Sequence, residues 1–218
     1  MKELILKLSE FDCVKIITRN SISFNQADLC CTEVQVYFID KQRQINIGEQ
    51  SIGEIFEPLI TCLKKAINKN LRLHESLTQN LGFMQNQYYQ NKADFFRVAA
   101  SNDMSSYWVG FDYEICSVSA EAKSYFSAWL YNDIDGKIIF EVTKDYPWHF
   151  MELEDNSEDP DFQTYEEFMK DYKPLITRVI PRQVAIEWLN QAMKVYRGLF
   201  STEENYKNMC KELGWEDC

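Results

Sequence analysis

The stretch SYFSAWLYNDIDGKIIFEVT, residues 124–143, decides the fold that the sequence predicts. Two runs typical of β-strands, residues 124–132 and 137–143, flank the sequence Asp-Ile-Asp-Gly. An Asp-Gly step between two strand patterns is a strong hairpin signal, because glycine tolerates the positive φ of such turns. Apolar and polar residues also alternate over residues 106–118. The sequence therefore predicts a three-stranded antiparallel meander in the C-terminal half.

The N-terminal half carries further strand patterns and then a helix. The strand patterns are runs of β-branched and aromatic residues at 3–8, 13–18, 33–39 and 43–47. Ser51 and Glu54 have the spacing of a capping box, and an apolar stripe at three- and four-residue steps continues to Ile67. This pattern predicts a helix from Ser51 onward, although Pro58 indicates a kink or a late start.

The chain beyond Pro147 has helical patterns. The pairs Thr164/Glu167 and Ser201/Glu204 have the spacing of capping boxes. One helix is expected to follow Thr164 and to end near Tyr172, and another is expected to follow Ser201. Another helix is expected to start at Pro181.

Strand patterns followed by helical ones, without regular alternation, indicate an α+β fold. We expect antiparallel sheets with helices packed on one face, and a C-terminal β-meander followed by helices. Residues 68–106 fit either an irregular connection or a weak helix. The prediction is one domain over residues 1–218, with any subdomain boundary within 75–105.

Composition indicates a cytoplasmic protein. The seven cysteines include no C-x-x-C pair, so they are expected to be mostly reduced thiols. Charged residues interrupt the N-terminal apolar residues, so no signal peptide is expected, and no apolar run approaches the length of a membrane span.

Negative charge is concentrated in the second half. Residues 1–110 carry 12 basic and 12 acidic residues, whereas residues 111–218 carry 11 and 22, which accounts for the whole net charge of −11. Such a field repels nucleic acid and anionic membranes and attracts basic proteins, or serves solubility alone. The predicted contacts for a basic partner are Asp133, Asp135, Glu152, Glu154, Asp155, Glu158, Asp159 and Asp161.

The stretch EVTKDYPWHF, residues 141–150, holds one of the two histidines. Pro147 is expected to end the strand, so that Trp148 and Phe150 cover the end of the sheet and His149 points toward solvent or the acidic loop. A catalytic His149 would need a partner within hydrogen-bonding reach. The available partners are Glu141, Asp145, Glu152 or a cysteine. A surface histidine and a catalytic one both stay open, and the sequence favours the first.

No cofactor or metal site is predicted. Acidic and polar residues alternate from Asp155 to Asp161 and Glu166 follows, which imitates the ligand spacing of a calcium-binding loop. Pro160 occupies the position where glycine is needed, and no helix leads into the loop. The chain also lacks a glycine-rich phosphate loop and the common hydrolase motifs. The acidic run is therefore interpreted as a solvated face or a docking surface.

Two runs of the C-terminal half, DGKIIFEVTKDYPWHF and TYEEFMKDYKPLITRVIPRQVAIEWLNQA, carry a resemblance. The matching features are the Y-P-W corner at 146–148, Y-K-P at 172–174 and W-L-x-Q at 188–191. They resemble the C-terminal block of small bacterial proteins, some of which are similar to immunity proteins encoded beside polymorphic or contact-dependent toxins. This resemblance implies a non-enzymatic cytoplasmic protein that neutralises a basic, nuclease-type toxin through its acidic C-terminal surface.

The resemblance transfers no catalytic residues, because the shared features are structural. Two other functions stay open. One is a small hydrolase or transferase that uses His149 with a neighbouring carboxylate or cysteine. The other is a scaffold or regulatory domain of a different kind.

Overall fold

The computed structural model describes residues 2–19, 22–41, 43–99, 108–118, 125–149 and 162–215, with side chains only as far as residue 92 in the third range. These residues form two four-stranded antiparallel sheets and five α-helices. The predicted α+β fold is confirmed.

The first sheet has the strand order β1-β2-β3-β4. Its strands are β1 (Glu3–Lys7), β2 (Cys13–Thr18), β3 (Glu33–Ile39) and β4 (Gln44–Ser51). In β1 and β2 every second side chain is buried, as expected for strands with one face against a core. The four strand patterns of the N-terminal half are thus confirmed, with β4 longer than its pattern.

Helix α1 (Ile52–Ile67) follows β4 directly. The Glu54 amide donates to Ser51 Oγ at 3.4 Å, and the Ser51 amide donates to Glu54 Oε2 at 3.0 Å, so the predicted capping box forms. Because the box fixes the first turn, the helix begins before Pro58 and includes it.

The second sheet has the order β5-β6-β7-β8. Its strands are β5 (Glu114–Ser117), β6 (Phe126–Asn132), β7 (Ile138–Lys144) and β8 (Ile176–Ile180). Gly136 has a φ of 78° in the β6–β7 turn, and its amide donates to the Asp133 carbonyl at 2.9 Å. The predicted hairpin is confirmed, and glycine is needed at this position.

Two expectations for this sheet are wrong. The alternating run of residues 106–118 is not one strand, because Val109–Tyr113 forms a 3-10 helix before β5. Residues 106 and 107 lie outside the described part. Strand β8 was not expected after Pro147; it is only five residues long, and its Val179 is 56% exposed, so its apolar pattern is weak.

Four further helices complete the described fold. They are α2 (Leu81–Ala99), α3 (Tyr165–Met169), α4 (Arg182–Arg197) and α5 (Glu203–Glu212). Helix α2 occupies much of residues 68–106, for which the sequence fitted either a weak helix or an irregular connection. Thr164 caps α3 as expected, but α3 ends at Met169 instead of Tyr172. Helix α4 starts after Pro181 as expected, and α5 is capped by Thr202 in place of Ser201.

The two sheets share one core. Each is followed by a long helix, α1 after the first sheet and α4 after the second, and these helices pack together. Phe38 of β3 stacks on Phe140 of β7 with ring centroids 6.0 Å apart. Trp188 of α4 packs edge-on against Phe140, and its indole Nε1 donates to the Lys7 carbonyl at 2.7 Å.

Asn132 also joins the two parts of the chain. It is 1% exposed, its Oδ1 accepts from the Leu71 amide at 3.0 Å, and its Nδ2 donates to the Ala66 carbonyl at 3.0 Å. A buried amide with both ends satisfied fixes the end of β6 against the chain that leaves α1.

The cysteines behave differently from one another. Cys13, Cys30, Cys31, Cys62 and Cys116 are free thiols, as expected, whereas Cys210 is disulfide-bonded. Among the described residues, no helix combines the length and the apolar character needed to cross a bilayer.

Candidate functional site

A cavity of about 590 Å³ opens at the end of the β6–β7 hairpin that is distant from its turn. This volume lies within the usual range for small-ligand sites, roughly 300–1,000 Å³. The described residues that line it come from α2, β5 and β6, and from the segment after β7. They are Gln85, Tyr89, Glu114, Ser117, Val118, Tyr125, Ser127, Asp145, Tyr146, Pro147 and His149.

The polar lining follows from the alternation of β6 and β7. Ser127 pairs with Thr143 and Trp129 with Glu141, so Ser127, Glu141 and Thr143 share one face of the sheet. The other face carries Phe140 and enters the common core. Helix α2 covers the polar face, because Gln85 Nε2 donates to Ser127 Oγ at 3.1 Å.

Ser127 lies between two carboxylates. Its hydroxyl is 2.7 Å from Asp145 Oδ2 and 3.3 Å from Glu114 Oε1. A hydroxyl has one proton to donate, so at any moment it serves only one of the two. Two carboxylates that compete for one donor repel each other when both are charged.

The surroundings favour protonated carboxyls. Burial raises the pKa of Asp145 to about 7, and the neighbouring charge of Glu114 raises it as well, against the hydrogen bond from Ser127. Burial also raises the pKa of Glu114 to about 7, against hydrogen bonds from Ser117 and Ser127. The pair therefore exchanges protons near neutral pH.

Two acceptor atoms of the cavity lack a donor. Asp145 Oδ1 and Gln85 Oε1 are buried and have no hydrogen-bond partner among the described residues. Gln85 is 3% exposed as a whole residue. A buried polar atom without a partner is rare and costs on the order of 1–3 kcal/mol. The cavity is thus short of hydrogen-bond donors.

Three tyrosines are also among the residues that line the cavity. Tyr89, Tyr125 and Tyr146 line it together with the carboxylates. Burial, followed by the charges of Glu114 and Asp145, raises the pKa of Tyr89 to about 12. Tyr89 is therefore a neutral phenol at physiological pH, and its ring lies in the field of both carboxylates.

His149 does not point to solvent, so the solvent alternative of that expectation is wrong; the acidic loop lies outside the described residues. The residue is 5% exposed. Its Nε2 lies 3.3 Å from Asn86 Oδ1 and its Nδ1 lies 3.2 Å from Gln90 Oε1, and its ring packs edge-on against Tyr146. Helix α2 supplies both amides. Because the sequence did not decide between a helix and an irregular connection here, the contact of α2 with His149 was not predicted.

The proton on His149 Nε2 follows from the contacts of Asn86. Asn86 Nδ2 donates to the carbonyls of Gly82 at 2.7 Å and Lys144 at 3.0 Å, which orients the amide. Its Oδ1 accepts from the Tyr146 amide at 2.6 Å. An oxygen therefore faces His149, so Nε2 carries a proton and donates. This nitrogen cannot act as a base in the arrangement observed.

Of the acidic partners predicted for His149, one lines the cavity, one lies outside it and one is outside the described residues. Asp145 lines the same cavity as His149. Glu141 is not among the lining residues; its Oε2 accepts from the Tyr131 hydroxyl at 3.2 Å, its Oε1 lacks a partner among the described residues, and burial raises its pKa to about 7. Glu152 lies outside the described part.

Two of the eight predicted partner contacts lie in the hairpin turn. Asp133 Oδ1 accepts from the Lys137 amide at 2.8 Å, and Asp135 Oδ2 pairs with Lys137 Nζ at 3.1 Å. Ile134 between them is 94% exposed. Both aspartates thus stabilise the turn, at the opposite end of β7 from Asp145. The other six, Glu152, Glu154, Asp155, Glu158, Asp159 and Asp161, lie outside the described residues.

Sequence reasoning missed the centre of the cavity. Glu114, Ser127, Gln85 and Tyr89 were not among the predicted site residues. One signal was present: Glu141, Thr143 and Asp145 alternate on a strand pattern that is otherwise apolar, and such a polar face needs a polar cover.

Comparisons with protein families, curated proteins and solved structures found no match to this chain. Within the described residues, no group of three or more histidine, cysteine or acidic side chains is placed to hold a metal ion.

Proposed function

We propose that this chain is a non-enzymatic cytoplasmic binding protein that neutralises a basic, nuclease-type toxin through its acidic C-terminal half. The observation that carries the proposal is the acidic cavity. Glu114 and Asp145 face a common space, and the described lining residues include no Lys or Arg. A cationic group of another molecule complements such a site.

The distribution of charge supports the same partner. All of the net charge of −11 arises in residues 111–218. A field of this kind speeds the approach of a cationic protein and disfavours nucleic acid and anionic membranes as partners.

The experiment compares growth and binding. The product of the gene beside this one is expressed in a bacterial host with and without the chain. Expression of that product alone is expected to stop growth, and co-expression is expected to restore it. Binding of the purified pair, followed by titration calorimetry, should weaken at least about tenfold between 50 and 500 mM salt, because charge complementarity is screened.

Matched variants test where the partner docks. One variant replaces Asp155, Glu158, Asp159 and Asp161 with their amides. The control replaces four exposed acids elsewhere, Glu10, Glu187, Glu204 and Glu212, and has the same net charge. Binding should weaken more in the first variant. Equal weakening in both would show that only net charge matters, and no growth protection by the wild-type chain would refute the proposal.

A hydrolase is the second candidate, and one observation favours it. The carboxyls of Glu114 and Asp145, whose pKa values are raised to about 7, line one cavity with His149, and carboxyls of this kind suit acid–base catalysis. His149 Nε2 would serve there as a hydrogen-bond donor. Chromogenic esters, phosphoesters and glycosides incubated with the chain would show turnover, lost in Asp145→Asn, if this candidate were correct.

A further inference from the structure

We propose that the acidic cavity is a binding site for a guanidinium group, which enters between Asp145, Glu114 and Gln85. Guanidinium is the group of a basic partner that this cavity would bind. That the partner is a protein rests on the proposed function. The guanidinium comes either from an arginine side chain of the partner or from a small guanidino compound. The chemistry of recognition is the same in both cases.

Acceptor atoms without hydrogen-bond partners indicate a ligand that donates hydrogen bonds. Asp145 Oδ1 and Gln85 Oε1 are buried and lack donors among the described residues. The only proton of the Ser127 hydroxyl is already contested by two carboxylates. A guanidinium offers five N–H donors in a planar fork, which matches several convergent oxygens better than a single ammonium does.

The charge of the lining defines the ligand as a cation. Two carboxylates face the cavity, and the described lining residues provide no Lys or Arg. A cation that entered would replace the protons that the pair holds near neutral pH and would form charge-assisted hydrogen bonds. The Oδ2 of Asp145 accepts from Ser127, whereas its buried Oδ1 has no donor among the described residues, so Oδ1 is the acceptor that a bound donor would satisfy.

The rings and the volume favour guanidinium over a compact ammonium ion. Tyr89, Tyr125 and Tyr146 line the cavity, and guanidinium stacks on aromatic faces while it donates at its edges. A space of about 590 Å³ exceeds the size of one such group, so the attached alkyl chain of an arginine also fits.

The test titrates the full-length chain by calorimetry at pH 8 with four probes. L-arginine and agmatine carry the guanidinium, L-lysine carries an ammonium, and L-citrulline is the neutral analogue of arginine. Arginine and agmatine should bind with a dissociation constant on the order of 1 mM, typical of a small fragment in a matched site. Lysine should bind at least about fivefold more weakly, and citrulline should show no binding.

Three variants locate the site. Asp145→Asn and Glu114→Gln should each weaken arginine binding by about tenfold or more, because each removes one negative charge from the cavity. Glu141→Gln is the matched control, since Glu141 is a buried carboxylate of the same sheet face that does not line the cavity. It should leave the affinity within about twofold. If Asp145→Asn fails to fold, Glu114→Gln and the wild-type probes decide the matter.

The pH dependence provides an independent measurement. Among the described residues, the titratable groups that line the cavity are Glu114, Asp145, His149 and the three tyrosines. Protons compete with the cation for the two carboxylates, so affinity should rise as pH increases from 6 to 8, and binding should release protons, measured in buffers of different ionisation enthalpy.

The source of the guanidinium is separated by one further probe, a tripeptide Gly-Arg-Gly blocked at both ends. Binding of this peptide together with arginine supports a partner's arginine, whereas binding of the free compounds alone supports a small guanidino ligand. No binding by arginine, agmatine or the peptide, or equal binding of citrulline, overturns the site. If the guanidinium site fails but a toxin still binds in a salt-dependent way, the proposed function stands without this site. If guanidinium binds but no toxin does, the site stands and the proposed function fails.

Discussion

At the residue scale, three carboxyls in the described part of the chain lie in places that disfavour their charge. Burial raises the pKa values of Glu114, Glu141 and Asp145 to about 7. Soluble proteins rarely keep such groups unless they are paired or used. Asp145 and Glu114 face a cavity that a ligand can enter, whereas Glu141 contacts the Tyr131 hydroxyl. The three carboxyls thus have similar pKa values, but a ligand in the cavity can reach only Asp145 and Glu114.

These carboxyls should make the protein less stable as pH rises. Their folded-state pKa values lie above the ordinary values of unfolded Asp and Glu, so the folded chain binds protons more tightly between about pH 4 and pH 7. The free energy of unfolding should therefore fall across this window and level off above about pH 7. Between pH 6 and pH 8 we expect a loss of about 1 kcal/mol for each carboxyl.

Urea denaturation at pH 6 and pH 8 measures this loss. The variants Asp145→Asn and Glu141→Gln should each reduce the pH difference, and Glu187→Gln, at an exposed position of α4, should not. Comparison between variants separates the contribution of each carboxyl from that of the other groups in the protein. Equal stability of the wild type at both pH values would contradict the expected burial of charge.

At the element scale, the position of α2 determines whether the cavity exists. Helix α2 supplies Gln85, Asn86 and Tyr89 to the site and lies against the polar face of β7. Gly82, in its first turn, makes this approach possible: a Cβ at that position would overlap the Thr143 side chain and the Tyr172 hydroxyl.

Gly82→Ala should therefore displace α2 or destabilise the protein by several kcal/mol, about 2–4, since overpacking at a close contact forces backbone shifts. Gly53→Ala, in the first turn of α1, is the matched control, because a Cβ there would meet Glu57 and Leu29 only at 3.4 Å or longer. The control should be neutral or slightly stabilising, as alanine favours helix. Thermal unfolding measures both, and a Gly82→Ala protein as stable as the wild type would place α2 elsewhere.

The strands and caps were easier to predict from sequence than the cover of the site. Alternation identified β1 to β3 and the hairpin, and side-chain capping identified the start of α1, because these signals are local. Helix α2 was left open because its apolar stripe is weak and its face toward β7 is polar. The buried position of His149 was missed for the same reason, since its partners Asn86 and Gln90 belong to α2.

At the scale of the whole molecule, the two sheets behave as one packed unit. Phe38 stacks on Phe140, Arg178 of β8 pairs with Asp12 at 2.6 Å, and α1 contacts strands of both sheets. The sequence predicted a single domain with a possible boundary within 75–105, and the contacts of the described residues cross that interval in several places. Such contacts were not predictable, because they join residues more than 60 positions apart.

We therefore expect unfolding in one cooperative transition, with no separate melting of either half. Phe140→Ala should lower the free energy of unfolding by about 3–5 kcal/mol, as it leaves a cavity between the sheets, and should preserve the single transition. Far-UV and near-UV circular dichroism in urea should give coincident curves. Two resolved transitions would show that the halves are independent domains.

The exposed Ile134 has a practical consequence. It stands at the tip of a hairpin whose two strands have seven residues each, so a dye attached there through Ile134→Cys would lie more than about 20 Å from Asp145. Engagement of the tip would change the fluorescence of the dye directly, and engagement of the far end would leave its local environment unchanged. A single labelled protein could thus report which end of the hairpin a bound molecule touches.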